Sequence, residues 1–201
     1  MPDEAPDKAD QQMVIMLRQN MDSIPRINLP DGFSSRGMTR DDVRNWTEIW
    51  RSLEPSGRIG DDLFFNEFGK DWDEIGRRCF LIEDTAGSCV GTISAWYDSS
   101  FKGGEWGRIH WVAVRKEFQG RGLAKPMLSL AMEKLASRHC RCYLVTHAHR
   151  IPAISLYLKF GFVPDLSSEK FRKLWIGVLE KLQDPSLKSQ LEETIGLSQN
   201  N

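Results

Sequence analysis

One stretch near the middle of the chain, residues 109–125, constrains the fold more than any other. Its first six residues are mostly apolar and partly β-branched, which is typical of a strand covered on both faces. Gly120 and Gly122 follow in a polar turn, where the lack of a side chain frees the backbone. From Leu123 onward the apolar residues recur with helical spacing, and Pro126 falls in the first turn, where a missing N–H costs nothing. The stretch therefore predicts a strand, a glycine loop and a helix in succession.

A glycine loop that leads into a helix presents several unpaired backbone N–H groups to one point. The helix dipole adds to their effect, so such a loop is an anion site, most often for phosphate. The chain lacks both the GKS or GKT of a Walker loop and the pattern GxGxxG. The residues from Gln119 to Ala124 fit another pattern, (Gln/Arg)-x-x-Gly-x-(Gly/Ala). On the two glycines alone, a tight turn without any ligand remains the alternative.

In this loop and in a second segment, residues 144–162, the chain resembles the GNAT superfamily of acetyl-CoA-dependent N-acyltransferases. The second segment looks like the last strand, helix and turn of the GNAT core, and its match is strongest at Ala153, Leu156, Tyr157, Lys159, Gly161 and Phe162. The resemblance covers roughly residues 91–164. It implies an α/β (α+β) fold in which helices flank a mixed central sheet.

The resemblance implies acetyl-CoA as co-substrate, with its pantetheine arm along the central strand and its pyrophosphate in the glycine loop. The cofactor-binding residues expected on this basis are Val112, Ala113, Val114, Gln119, Gly120, Arg121, Gly122, Leu123, Ala124, Lys125 and Arg150. Arg150 departs from the family, which often carries an asparagine there. Arg150 could instead bind a phosphate or an acidic substrate group.

Acyl transfer to an amine needs a base for the amine and an acid for the departing thiolate. The resemblance makes Tyr157 the candidate acid, and a ring that only packs at the cleft edge is the alternative. His110 is the first candidate base, because strand alternation places it on the same face as Val112 and Val114 and imidazole titrates near neutrality. Glu105 is the second candidate, and a histidine that is merely packed in the sheet is the alternative.

Composition excludes several other classes of function. A chain of 201 residues with a net charge of −1 offers no broad basic face for nucleic acid. It has no apolar run of the roughly 20 residues that span a bilayer, and its acidic N-terminus is unlike a signal peptide, so we expect a cytoplasmic protein. Cys140 and Cys142 lack a second pair, and His147 and His149 lack a third ligand, so no metal is expected.

Periodicity and turn residues predict the order of elements. Helices are expected at Gln11 to Met21, from Thr39 until Pro55 to Gly57, at Asp61 to Phe68, from Leu123 to Ser137, at Ile151 to Phe160 and at Ser168 to Leu182. Strands are expected within Ile27 to Gly37, at Cys79 to Glu83, Val90 to Tyr97, Trp106 to Val114 and Arg141 to Thr146. Many GNAT members place a strand or hairpin where residues 168–182 look helical. The expected organisation is an N-terminal polar, disordered or short helical arm (1–22, disordered at 1–10), a GNAT domain (23–183) and a helical, polar tail (184–201).

The leading functional hypothesis is an N-acetyltransferase that moves acetyl from acetyl-CoA to a primary amine by direct attack. A small-molecule amine is the default acceptor, because no extended charged surface indicates a peptide or polycation site, and a protein N-terminus or lysine is the open alternative. Since GNAT proteins are often dimers, a homodimer is compatible with the resemblance. One alternative is a non-catalytic GNAT-fold acyl-CoA sensor or binding module, and another is an enzyme that uses a longer acyl-CoA.

Overall fold

The computed structural model describes residues 12–54 and 59–197. The predicted disorder at 1–10 and the predicted helix end at Pro55 to Gly57 lie outside these residues. The chain divides into two compact units. We call Met21–Cys140 the central unit, and Met1–Asn20 with Arg141–Asn201 the terminal unit.

The central unit contains an antiparallel sheet of four strands in chain order: β2 (Phe33–Gly37), β3 (Cys79–Asp84), β4 (Cys89–Asp98) and β5 (Trp106–Val114). The hairpin between β3 and β4 turns at Gly87, whose φ is +74°. Asp84 closes this turn by accepting hydrogen bonds from the backbone N–H groups of Ala86 and Ser88. The turn residues identified in the sequence therefore form the predicted hairpin.

Helices cover both faces of this sheet. One face carries α1 (Val43–Arg51), α2 (Asp61–Phe68) and α3 (Trp72–Arg78), and the other carries α4 (Ala124–Ala136). On the first face, the ring of Trp46 lies 5.3 Å from that of Phe64 and 5.0 Å from that of Trp111, both edge-on. Edge-on contacts of this kind stabilise an aromatic core beyond simple burial. This cluster fixes α1 and α2 against β5.

The terminal unit is built around β1 (Met13–Arg18), which lies between β6 (Cys142–His147) and β7 (Val163–Pro164) and is antiparallel to both. Three helices complete it: α5 (Ile151–Lys159), α6 (Glu169–Lys181) and α7 (Pro185–Ile195). The buried Arg18 donates hydrogen bonds to the carbonyls of Asn20 and Phe160. Gly161 has a φ of +75°, and a Cβ there would lie 2.7 Å from Arg18 Nη1, so this turn requires glycine.

The predicted helix at Gln11 to Met21 is wrong, because residues 13–18 form β1. Val14 and Met16 are fully buried, and the strand pairs along its length with β6, so tertiary pairing overrides the weak helical pattern. Within Ile27 to Gly37 only residues 33–37 form a strand. Helix α3 was not predicted, whereas the helical periodicity of residues 168–182 is confirmed by α6.

The other predicted elements are confirmed to within a few residues. Helix α2 and strand β5 have the predicted bounds, and α4 ends one residue before the predicted Ser137. The division into arm, domain and tail stays a prediction. No helix in residues 12–54 and 59–197 is both long and apolar enough to cross a membrane.

Candidate active site

The glycine loop lies between β5 and α4, as predicted. Both glycines adopt left-handed backbone conformations, with φ +77° at Gly120 and +80° at Gly122. The Cβ position at Gly120 has no atom within 4 Å, and the one at Gly122 meets only Pro30 Cγ, at 3.8 Å. The loop is therefore open on the side where side chains would project, and its backbone path suits glycine at both positions.

The N-terminus of α4 is not closed by a capping side chain. Its cap residue is the buried Leu123, whose side chain has no oxygen to accept a hydrogen bond from the first turn. The first N–H groups of a helix have no intrahelical partner, and the helix dipole gives this end a partial positive charge. The end of the loop is therefore suited to an anion.

Side chains of the loop brace it against the end of β5. The Gln119 amide donates a hydrogen bond to the Val114 carbonyl over 3.0 Å. The Arg121 guanidinium lies 4.7 Å from the centre of the Phe118 ring, in cation–π geometry. The exposed Arg121 and Lys125 place two positive charges at the loop.

Strand β5 contains a bulge in front of the loop. Ser94 of β4 pairs with His110 and Thr92 with Ala113, so Trp111 and Val112 together oppose one residue. Trp111 has a φ of +50°, which is rare for a bulky side chain and marks a strained backbone. Bulges re-aim side chains and interrupt pairing. The main chain of Val112, Ala113 and Val114, the predicted pantetheine partner, begins at this irregularity.

The bulge also changes which residues share a face of β5. His110 and Ala113 oppose Ser94 and Thr92 and face α1 and α2, whereas Val114 opposes Gly91 and faces α4. The prediction that His110 shares a face with Val112 and Val114 is therefore wrong. Strict alternation was the basis of that prediction, and the extra residue shifts it by one.

His110 lies in a hydrogen-bonded group with a carboxylate from α2. Its Nε2 is 2.7 Å from Glu67 Oε2, and the Trp111 indole N–H donates to the same oxygen over 3.0 Å. The His110 side chain is 12% exposed and that of Glu67 is 31% exposed, so the pair can be reached from solvent. The Phe68 ring packs on the imidazole at 5.8 Å.

The electrostatics of this pair favour a neutral imidazole beside an ionised carboxylate. Burial lowers the pKa of His110 below its ordinary value, and Arg108 acts in the same direction, whereas Glu67 opposes the shift. The hydrogen bond from His110, together with that from Trp111, lowers the pKa of Glu67 to about 2 despite its burial. At pH 7 the His110 Nε2–H donates to Glu67, which leaves the lone pair of Nδ1 available as a base.

Glu67 was missed by the sequence analysis. The sequence predicted the helix at Asp61 to Phe68, and no role was assigned to this carboxylate within it. Glu67 and His110 are 43 residues apart in the chain, and no local spacing connects them. The signal available was the one carboxylate of α2 that lies outside its acidic first turn, in a helix rich in phenylalanine.

The second candidate base lies elsewhere in the central unit. Glu105 precedes β5, and five residues of extended strand place it roughly 17 Å from His110. Its carboxylate contacts His139 Nδ1 at 3.2 Å. The structure therefore brings Glu67, and not Glu105, to His110.

The remaining predicted site residues belong to the terminal unit. Tyr157 on α5 is 8% exposed, and its ring packs 6.0 Å from that of Phe162. Burial raises the pKa of Tyr157 to about 12, while Arg150 at the start of α5 opposes the shift, so the phenol stays protonated. The rings of His147 and His149 stack at 5.4 Å. Across residues 12–54 and 59–197, no group of three or more His, Cys, Asp or Glu side chains could hold a metal ion.

Comparison with known families decides which class of protein carries this arrangement. The model of the acetyltransferase (GNAT) family matches residues 41–162, well over half of the chain. The chain belongs to this family. The match includes the aromatic face, the bulge, the glycine loop and the helix of Tyr157, and it supports acyl transfer as the chemistry of this GNAT protein.

Individual curated relatives match a smaller part of the chain than the family model does. Acetyltransferase SG1711 of Sodalis glossinidius is 31% identical over 84 residues, which are 41% of this chain and 56% of that protein. The alignment thus spans little more than half of the relative's length.

Solved structures confirm the fold. A GCN5-related N-acetyltransferase from Sphaerobacter thermophilus has a TM-score of 0.59 at 20% identity, over 76% of this chain and 48% of that one. A GCN5-related glucosamine N-acetyltransferase region in a fungal multi-domain GH3 β-N-acetylglucosaminidase has a TM-score of 0.56 at 14% identity, over 78% of this chain and 20% of that one. At such identities the likeness shows the fold alone, and it confirms the predicted α/β GNAT class with helices flanking a mixed sheet.

Proposed function

We propose that this GNAT protein is an acetyl-CoA-dependent N-acetyltransferase that acetylates a primary amine of a small molecule. The observation that carries the proposal is the open glycine loop between β5 and the uncapped N-terminus of α4. Two left-handed glycines and free helix N–H groups suit a pyrophosphate, which is the part of acetyl-CoA that such a loop would hold.

The fit to acetyl-CoA is supported by three groups of residues. Residues 119–125 would hold the pyrophosphate, with Arg121 and Lys125 adding positive charge. The main chain of residues 112–114 would pair with the pantetheine amides as an added strand does. Arg150 would supply a further cation toward a phosphate or an acidic substrate group.

The proposed chemistry is direct transfer. His110 takes a proton from the acceptor ammonium, and the resulting amine attacks the thioester carbonyl. As the new C–N bond forms and the C–S bond breaks, the nitrogen loses its second proton to solvent, and Tyr157 donates its phenolic proton to the departing thiolate and is reprotonated from solvent. The neutral state of the buried His110 supports the first step, and the protonated state of Tyr157 supports the last.

The surroundings of Glu67 support a cationic acceptor with an apolar part. Its partly exposed carboxylate attracts an ammonium group, and the half-buried rings of Phe65 and Trp72 lie on the same side of the central unit. A positive charge is stabilised both by a carboxylate and by aromatic faces. A small amine with an aliphatic or aromatic body fits this combination.

The first experiment tests the cofactor. Isothermal titration with acetyl-CoA should show binding well below millimolar concentration in the wild type and none in Gly122→Trp, whose indole would fill the loop. Gly87→Trp is the matched control, because Gly87 also has a positive φ and open surroundings but lies in the β3–β4 turn. Equal binding by all three proteins would remove the loop from the proposal.

The second experiment tests turnover. An amine library with acetyl-CoA should release free CoA, and with the best amine Tyr157→Phe should lower kcat by about 10²-fold or more while the Kd of acetyl-CoA stays unchanged. Binding without turnover for every amine would indicate an acyl-CoA sensor instead. Full activity of Tyr157→Phe at every pH would show that another group is the acid.

A further inference from the structure

A cleft lies at the opposite end of α4 from the glycine loop. It has a volume of about 430 Å³, within the roughly 300–1,000 Å³ of small-molecule sites. It is lined by Gly37, Gly76, Arg77, Arg78, Phe80, Ala95, Lys134, Ser137 and Arg138. Phe80 and Ala95 point away from the face of the sheet that carries Trp46 and His110, and the cleft lies where α3 meets the C-terminal end of α4.

The lining of this cleft is strongly basic. One carboxylate, Glu74, is shared by three guanidinium groups: Arg78 bonds to it, Arg138 Nη1 lies at 3.2 Å and Arg77 Nη1 at 3.9 Å. Lys134 adds a fourth cation, with its Nζ 5.8 Å from the Phe80 ring. A single carboxylate cannot neutralise four cations, so the cleft has a local excess of positive charge. The chain as a whole has a net charge of −1.

The innermost cation, Arg78, is held in place by neutral partners as well as by Glu74. Arg78 donates to the Ala95 carbonyl over 3.3 Å and lies 4.6 Å from the centre of the Tyr97 ring. His139 contacts it at 3.4 Å, and burial, with Arg78 itself, lowers the pKa of His139, so this ring adds no charge at pH 7. Glu105 approaches His139 from its other nitrogen. The guanidinium is therefore pre-oriented, which lowers the entropy cost of binding an anion.

Two glycines keep side chains out of the cleft wall. A Cβ at Gly37 would lie 2.2 Å from the Gly76 carbonyl oxygen, so β2 and α3 touch through backbone alone. Lys134 follows Ala124 by ten residues on α4, a separation of about 15 Å along the helix axis. The cleft is thus distinct from the glycine loop.

We propose that this cleft is a binding site for a small phosphorylated anion, separate from the acetyl-CoA site. Planar guanidinium groups match the oxygen geometry of phosphate and bind it with two hydrogen bonds each. The exposed Arg77 and Arg138, both held by Glu74, would close on the phosphoryl oxygens beside the pre-oriented Arg78. This second site does not depend on the proposed acetyl transfer.

Inorganic pyrophosphate is the probe. Isothermal titration of the full chain should show saturable binding that weakens by about tenfold or more in the double variant Arg77→Gln/Arg138→Gln, since each lost charged hydrogen bond costs about tenfold. The matched control is Arg26→Gln/Arg44→Gln, two exposed surface cations that also pair with carboxylates. Circular dichroism and thermal unfolding establish that each variant is folded.

The glycine loop could also take pyrophosphate, so Gly122→Trp is titrated in parallel. Binding kept in Gly122→Trp and in the control, but lost in Arg77→Gln/Arg138→Gln, supports the second site. Binding lost in Gly122→Trp and kept in the cleft variant assigns the probe to the loop and overturns the proposal. Absence of saturable binding, or equal binding in all proteins, overturns it as well.

Discussion

The efficiency of a histidine as a base depends on its charge state and its orientation, and here Glu67 contributes to both. The carboxylate fixes one nitrogen of His110 and, through its charge, raises the imidazole pKa against the larger lowering effect of burial. The indole N–H of Trp111, which lies in the strained bulge, donates a hydrogen bond to the same Glu67 oxygen that contacts His110. A positioning role for Glu67 is therefore separable from the role of His110 itself.

We predict that Glu67→Gln lowers the pKa of His110 further below that of the wild type, because the substitution removes the negative charge that raises it. A nuclear magnetic resonance titration of the His110 ring measures this directly. Asp62→Asn, at an exposed position of the same helix, is the control and should leave the His110 pKa unchanged. With the acceptor amine, kcat of Glu67→Gln should fall by about tenfold, the value of one hydrogen bond in the transition state. An unchanged or higher His110 pKa in Glu67→Gln would refute this coupling.

At the scale of elements, local pattern and tertiary pairing contribute differently. The strand, loop and helix around Gly120 could be predicted because each has its signal in adjacent residues. Strand β1 could not, since it depends on pairing with β6 more than a hundred residues away. Helix α3 is two turns long and contains Gly76, so it shows little periodicity. The bulge gives Trp111 a positive φ, a conformation that tryptophan disfavours. Residue propensities therefore could not indicate the bulge.

The contact between β2 and α3 gives a prediction at this scale. Gly37→Ala should lower the free energy of unfolding by about 1–3 kcal/mol, because the new Cβ overlaps the Gly76 carbonyl and backbone must move. Gly177→Ala, inside α6 with no atom within 4 Å of its Cβ position, should raise it by about 0.5–1 kcal/mol. Urea unfolding of both variants measures the difference, and equal stability would mean that the β2–α3 contact opens at little cost.

For the whole molecule, the titrating groups define a window of maximum stability. The pKa values of Asp42, Glu67 and Glu74 are lowered, chiefly by hydrogen bonds from partners such as Arg36, His110 and Arg78, so their contribution is full above about pH 5 and is lost as the pH falls. The lowered pKa of the buried His110 acts in the same sense below about pH 6.5, because the unfolded chain binds that proton first.

Two buried thiols set the alkaline limit. Burial raises the pKa of Cys79 and of Cys142 to about 12, so above pH 9 the unfolded chain ionises first and stability falls, by roughly 1 kcal/mol per pH unit for each thiol. We expect unfolding free energies to be highest between about pH 6.5 and 9. Cys79→Ala/Cys142→Ala should flatten the alkaline fall, and the exposed Cys140→Ala should not. An alkaline limb identical in all three proteins would show that other groups control it.

The position of β1 has a consequence for how the chain is made. Met16 pairs with Leu144, so 128 residues must be synthesised after β1 before its partner strand exists. At about 5–20 residues per second this takes roughly 6–25 s. Throughout that time the segment that will become the middle strand of the terminal unit leaves the ribosome with its apolar side chains and its hydrogen-bonding edges unpaired. The central unit, whose strands pair in chain order, meets no such delay, so we expect it to fold while the ribosome is still translating the rest and β1 to be placed last.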